Sequence, residues 1–83
     1  MKVVYAPTAV RQLEEFPASV QKRVTDKIDF YATQKNPLKF AKHLTGYNAY
    51  RFRIGNYRVV FETATDTLCI LLVVKREGAY KDI

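Results

Sequence analysis

Arginine and lysine side chains in the second half of the chain form a pattern that suits phosphate binding. Positions 42 to 58 contain four cations and no carboxylate: Lys42, Arg51, Arg53 and Arg58. Lys75 and Arg76 follow directly after an apolar run. A guanidinium group binds two phosphate oxygens at once and keeps its charge, so an arginine cluster can hold a phosphodiester and stabilise its pentavalent transition state. The pattern therefore indicates phosphodiester binding or cleavage.

Arg58 and Tyr80 are the strongest single candidates. Arg58 follows a predicted hairpin turn, has no adjacent carboxylate in sequence, and lies on a strand expected to be internal. Tyr80 stands four residues after Arg76, where it could stack on a base, orient a 2′-hydroxyl or assist proton transfer. The structural alternatives are an arginine face paired with Glu62 or Asp66, and a Tyr80 that serves as a core or lid aromatic.

Other chemistries find little support. His43 is the only histidine, so no metal-ligand spacing exists, and its position in a loop before a strand argues against a catalytic role. The three glycines are isolated at positions 46, 55 and 78, which excludes phosphate-cradling glycine motifs. The sequence thus predicts no metal and no cofactor.

Size and composition predict one soluble domain over residues 1–83. The 83-residue chain is 48% hydrophobic and carries a net charge of +6, which favours a polyanionic partner. Its longest apolar run, LCILLVV, is too short to cross a bilayer, and no signal peptide is evident. The single Cys69 excludes an internal disulfide and is expected to be a small buried residue. A cytoplasmic location is expected.

The first half of the chain predicts a strand and two helices. Lys2 to Ala6 has the composition of a short strand, and a helix of two to three turns should run from near Ala9 to Pro17. A second helix follows, with an apolar stripe spaced four, four and three residues apart: Val20, Val24, Ile28 and Tyr31. Asn36 and Pro37 should end it.

The second half predicts three strands. RFRIGNYRVVFE alternates with period two around Gly55-Asn56 and is typical of a tight β-hairpin; a polar turn from Thr63 to Thr67 then precedes an apolar strand from Leu68 to Val74. The order β-α-α-β-β-β predicts an α+β fold in which a two-helix hairpin packs on a curved, mainly antiparallel, four-stranded sheet. The hairpin arginines, with Lys75 and Arg76, should converge on the uncovered face.

The segments LTGYNAYRFRIGNYRVVFE and LCILLVVKREGAY resemble the RelE/ParE toxin superfamily. The resemblance covers nearly the whole chain and rests on the order and spacing of these residues: Leu44, Gly46, Tyr50, Arg51, Arg53, Gly55, Tyr57, Arg58, Lys75, Arg76 and Tyr80. It implies a metal-independent ribonuclease that cuts mRNA, commonly in the ribosomal A site, by attack of the substrate's 2′-hydroxyl on the adjacent phosphate.

The same resemblance implies roles and partners. Arg58 and Arg76 would stabilise the phosphorane, and Tyr80 would stack on or orient the reacting nucleotide. The residues that would hold the RNA backbone are Arg51, Arg53 and Lys75. Lys75 stands where many relatives have histidine, which favours arginine-based catalysis and leaves the general base unassigned. A RelB-like antitoxin would neutralise the toxin in a hetero-oligomer. The alternatives are a ParE-like inhibitor of DNA gyrase and a degenerate toxin that only binds its antitoxin.

Overall fold

The computed structural model of the protein describes residues 1–75, which form two helices and five strands. In chain order these elements are β1 (Lys2–Tyr5), α1 (Pro7–Glu14), α2 (Ala18–Thr33), β2 (Lys42–His43), β3 (Tyr50–Ile54), β4 (Tyr57–Ala64) and β5 (Thr67–Lys75). A 3₁₀ turn (Pro37–Phe40) joins α2 to β2. No helix within these residues is long and apolar enough to span a membrane.

All five strands form one sheet in the order β1-β5-β4-β3-β2. β1 pairs with β5 in parallel, and the other three pairings are antiparallel. The α+β class and the mainly antiparallel sheet are thus confirmed. The prediction of four strands was wrong by one, because β2 was missed. This strand has only two residues, which pair with Arg51 and Tyr50 and are too few to produce a periodic pattern.

The two helices cover one face of this sheet. α1 begins at Pro7, a residue whose fixed φ suits the first helical turn, and α2 turns its apolar stripe inward. Val24 and Ile28 are fully buried and Tyr31 is nearly so. They pack on the sheet residues Phe52, Val59, Phe61, Leu68 and Ile70, all of which are fully buried. The core therefore lies between the helical hairpin and one side of the sheet.

The β3–β4 hairpin matches its prediction. Its turn contains Gly55, whose φ of +58° lies in the left-handed region that glycine adopts without strain. The following polar stretch does not form the predicted long turn. β4 continues to Ala64, and only Thr65 and Asp66 separate it from β5. Asp66 takes the positive φ that this tight reversal needs.

Cys69 is not buried as expected. It is partly exposed and pairs with Val4 on one side and Glu62 on the other. Leu68 and Ile70, its neighbours along β5, are both fully buried in the core. Because successive strand residues point to opposite faces, Cys69 lies on the face that the helices leave uncovered.

Candidate nucleic-acid interface

The register of the β2–β3–β4 ladder brings four cations together on the uncovered face of the sheet. Arg53 lies directly opposite Arg58, and Arg51, two residues earlier on β3, lies opposite Lys42. Phe52, between the two β3 arginines, is fully buried under the helices. Strand alternation therefore turns Arg51 and Arg53 away from the core. We refer to Lys42, Arg51, Arg53 and Arg58 as the arginine cluster.

Arg58 is the buried member of the arginine cluster. Its strand lies between β3 and β5, so its direct neighbours are Arg53 on one side and Val74 on the other. Its side chain is only 6% exposed, whereas Arg53 is exposed and Arg51 is half-buried. A guanidinium group stays charged when it is buried, and its field is stronger where water is excluded. Arg58 thus gives this face a fixed positive charge.

The two carboxylates proposed as structural partners of the arginines lie in different parts of the sheet. Asp66 lies in the β4–β5 turn, where its carboxylate is 4.0 Å from the N-terminal ammonium group. Glu62 pairs with Cys69 across β4 and β5, four residues from Arg58. Neither carboxylate takes a register position opposite an arginine. Glu62 nevertheless lies on the same uncovered face as the arginine cluster, because its partner Cys69 does.

A shallow groove of about 380 Å³ extends this face beyond the β2 edge. Its lining residues are Lys39, Phe40, Ala41, Lys42, Arg51 and Arg53. Four of these six residues are cations, and none is acidic. Sequence reasoning did not assign Lys39 or Phe40 to a site. The charge excess from Lys39 to Lys42 was a signal that could have included them, but only the pairing of β2 shows that they reach β3.

Lys75 does not join the arginine cluster, so the expected convergence was wrong for this residue. It pairs with Tyr57 and lines a separate pocket on the helix side of the sheet with Gln12, Glu15 and Phe16. A register irregularity is the cause. Val60 pairs with Leu72 while the next residue, Phe61, pairs with Ile70, so β5 has one extra residue. This bulge reverses the side-chain alternation beyond it and places Lys75 on the helix face.

Two predicted catalytic residues, Arg76 and Tyr80, lie outside the described residues. His43 lies on β2, where its ring is 5.1 Å from that of Tyr50, the residue with which it pairs. Within residues 1–75, no three His, Cys, Asp or Glu side chains are grouped so that they could hold a metal ion. The described part of the site consists of the arginine cluster together with Lys39, Phe40 and Ala41.

The fold and the site together define a class of protein: small basic α+β domains with a helical hairpin on one face of the sheet and an arginine cluster on the other. Comparison with protein families gives a specific match. The model described as "ParE toxin of type II toxin-antitoxin system, parDE" matches residues 3–80. The chain belongs to this family of type II toxins, which confirms the resemblance to the RelE/ParE superfamily.

Similar proteins bear RelE names. The chain is 37% identical to Toxin RelE3 of Methanocaldococcus jannaschii over 84 aligned residues, which cover 96% of each protein. The RelB–RelE antitoxin–toxin complex of Methanococcus jannaschii contains a chain with 29% identity and a TM-score of 0.73, with 96% of this chain and 98% of that one covered. For the RelBE2 complex of Mycobacterium tuberculosis the values are 25% identity, a TM-score of 0.77 and 90% coverage of both chains.

Proposed function

We propose that this toxin is a RelE-like endoribonuclease that cuts mRNA in the cytoplasm, in the ribosomal A site, without a metal ion. The observation that carries the proposal is the direct pairing of Arg53 with Arg58 on the uncovered face. Two adjacent guanidinium groups, one buried and one exposed, suit a phosphodiester that gains charge during cleavage. The similarity to Toxin RelE3 supports the same assignment.

The proposed reaction uses the substrate's own nucleophile. The 2′-oxygen of one ribose attacks the adjacent phosphorus while the bond from phosphorus to the 5′-oxygen breaks, which leaves a 2′,3′-cyclic phosphate and a 5′-hydroxyl. One proton leaves the 2′-hydroxyl and one reaches the departing 5′-oxygen. Arg58 would stabilise the phosphorane and Arg53 would hold a backbone phosphate. Arg76 and Tyr80 would complete the site, as the family resemblance implies.

The decisive experiment is primer-extension mapping of mRNA after brief induction in bacteria. We expect cuts inside translated codons with the wild type and at least a tenfold loss of cutting with Arg53→Ala. Lys35→Ala is the matched control, because Lys35 is an exposed lysine outside the groove. Equal cutting by wild type and Arg53→Ala would remove the arginine cluster from the mechanism. Reconstitution with purified, mRNA-programmed ribosomes then tests the dependence on the ribosome.

We further propose a RelB-like antitoxin as the partner, in a toxin–antitoxin hetero-oligomer. The similar chains in two solved structures are described as parts of antitoxin–toxin complexes. The net charge of +6 complements an acidic antitoxin segment. Co-expression with the product of a neighbouring gene should restore growth, and the two proteins should co-purify. Failure of every adjacent gene product to restore growth would contradict this assignment.

Inhibition of DNA gyrase is the second candidate, because the matching family is described as ParE toxin. A shared fold does not separate the two activities. A supercoiling assay with purified gyrase does. Growth arrest with intact mRNA and loss of supercoiling activity would favour gyrase inhibition over the ribonuclease proposal. A chain that binds its antitoxin but neither arrests growth nor cuts RNA would be a degenerate toxin.

A further inference from the structure

Phe40 stands at the edge of the sheet with one side in the core and one side in the groove. Its ring stacks on Tyr31 of α2 at a centroid distance of 4.9 Å and an interplanar angle of 22°. Phe40 also lines the groove with Arg51 and Arg53 of the uncovered face. The side chain is nevertheless 43% exposed. A large aromatic ring is therefore open to solvent in a groove that four cations line.

The ring is held in place by the core. The ring centroids of Tyr31 and Phe52 are 4.5 Å apart, and those of Phe52 and Phe61 are 4.3 Å apart. Phe40 therefore ends a continuous row of aromatic rings. Phe52 and Phe61 are fully buried. Side chains packed in this way lose little freedom when a ligand binds, and the entropic cost of ordering the site is therefore low. Phe40 is a preorganised surface for stacking.

Cations surround this ring on the groove side. Lys39 and Lys42 flank Phe40 in sequence, and Lys42 pairs with Arg51 across the β2–β3 ladder. Two inter-strand spacings separate β2 from β4, which places Lys42 about 10 Å from the strand of Arg58. A basic groove with an aromatic platform is the arrangement by which proteins bind single-stranded nucleic acid, since cations follow the backbone and rings stack on bases.

We infer that the groove at the β2 edge is a subsite for single-stranded RNA, in which a base next to the cleaved step stacks on Phe40 and its phosphate contacts Lys42 and Arg51. The inference rests on the proposed ribonuclease function and extends its site by at least one nucleotide. Phe40 is a binding residue here and takes no part in proton transfer. The bound strand would pass from the arginine cluster across β3 to the sheet edge.

The aromatic part of the inference is tested by binding of a fluorescently labelled oligoribonucleotide that carries 2′-O-methyl groups and so resists cleavage. Phe40→Leu should weaken binding about tenfold, and Phe40→Trp should restore or exceed the wild-type affinity. Phe30→Leu is the matched control. Phe30 is 49% exposed and lies 6.5 Å from the Phe40 ring, but it does not line the groove. Its variant should bind within twofold of wild type.

A second readout separates stacking from charge. The chain contains no tryptophan, so Phe40→Trp adds a single indole whose fluorescence should be quenched as RNA binds; the indole of Phe30→Trp should not respond. The logarithm of the affinity falls linearly with the logarithm of the salt concentration. Lys42→Gln should make this slope less steep by about 0.7, because one phosphate contact is lost. Phe40→Leu should leave this slope unchanged, and Lys35→Gln should change neither slope nor affinity. Thermal denaturation checks that each variant is folded.

The outcomes distinguish this inference from the ribonuclease proposal. Normal mRNA cutting with equal RNA affinity for wild type, Phe40→Leu and Phe30→Leu would overturn the subsite and leave the ribonuclease intact. RNA binding that depends on Phe40 without any cutting would support the subsite and refute the nuclease. Absence of RNA binding by the wild type would overturn the subsite. Binding to ribosomes with and without mRNA identifies the source, since a Phe40 effect on empty ribosomes indicates ribosomal RNA.

Discussion

Arg53 and Arg58 face each other directly across the β3–β4 hairpin, and the second of them is almost completely buried. Like charges in opposite positions of an antiparallel pair destabilise a sheet, and the burial of a charged group adds a desolvation cost. The arrangement is expected where a site must present concentrated positive charge to an anion.

Arg58→Met should abolish mRNA cutting, because the buried charge of the arginine cluster is lost. Methionine retains most of the length of the side chain, and it removes both the buried charge and its repulsion by Arg53. The free energy of unfolding in urea should be measured for Arg58→Met and Arg53→Met beside mRNA cutting. Arg53→Met, at the exposed position, should change stability by less than about 0.5 kcal/mol. Strong destabilisation by Arg58→Met would assign Arg58 a structural role.

Gly55→Ala should destabilise the hairpin by about 1 to 2 kcal/mol, because a residue with a Cβ is strained at φ +58°. An added Cβ would also lie 3.2 Å from a terminal nitrogen of Arg23. That guanidinium is the flexible end of a side chain and can move. A double-mutant cycle with Arg23→Ala, measured by urea unfolding, should therefore give a coupling below about 0.5 kcal/mol. A larger coupling would locate the strain in the Arg23 contact.

The sequence predicted the fold well where a periodic pattern of apolar residues extends over many positions. The stripe of α2 and the alternation around Gly55-Asn56 each repeat over many residues, and both elements are found as predicted. β2 has only two residues, and the extra residue of β5 leaves the hydrophobic run unbroken. Neither feature changes the pattern of residue types, because both are set by pairing with a neighbouring strand.

The candidate site shows the same limit. Arg51, Arg53 and Arg58 could be assigned to one face from alternation alone, and the register confirms their proximity. Lys75 was assigned to the wrong face, since one bulged residue reverses the alternation beyond it. Phe40 was not assigned to the site, because only the structure shows that it reaches the groove. It joins the groove through the aromatic contact with Tyr31, which is distant from β3 in sequence.

Gln12 should stabilise the bulged end of β5. β1 pairs with β5 only as far as Ile70, and beyond it the side-chain oxygen of Gln12 accepts a hydrogen bond of 2.7 Å from the backbone N–H of Val73. Gln12→Ala removes this acceptor and should lower the free energy of unfolding by about 1 to 2 kcal/mol. Gln12→Glu keeps an acceptor and should stay close to wild type. Amide exchange of Val73 should be faster in Gln12→Ala alone; equal exchange in both variants would show that the bond contributes nothing.

Tyr5→Phe should stabilise the protein, and the gain should grow in alkaline solution. The hydroxyl is buried with no hydrogen-bond partner among the described residues, so its removal should raise the free energy of unfolding by about 1 kcal/mol. Burial and, to a lesser extent, the charge of Asp29 raise the pKa of Tyr5 to about 12. An unfolded tyrosine has a pKa of about 10. The free energy of unfolding of the wild type therefore keeps its full value below that pH and falls as the pH rises towards 12.

Urea unfolding at pH 7 and at pH 10.5 tests both parts of this Tyr5 prediction. The difference between Tyr5→Phe and wild type should be larger at pH 10.5, since the folded wild type holds a proton that the unfolded chain has begun to lose. Tyr47→Phe is the matched control, because Tyr47 is 69% exposed. A Tyr5→Phe variant that is less stable than wild type at pH 7 would show that the hydroxyl is solvated or bonded in solution, and the predicted alkaline gain would then be absent as well.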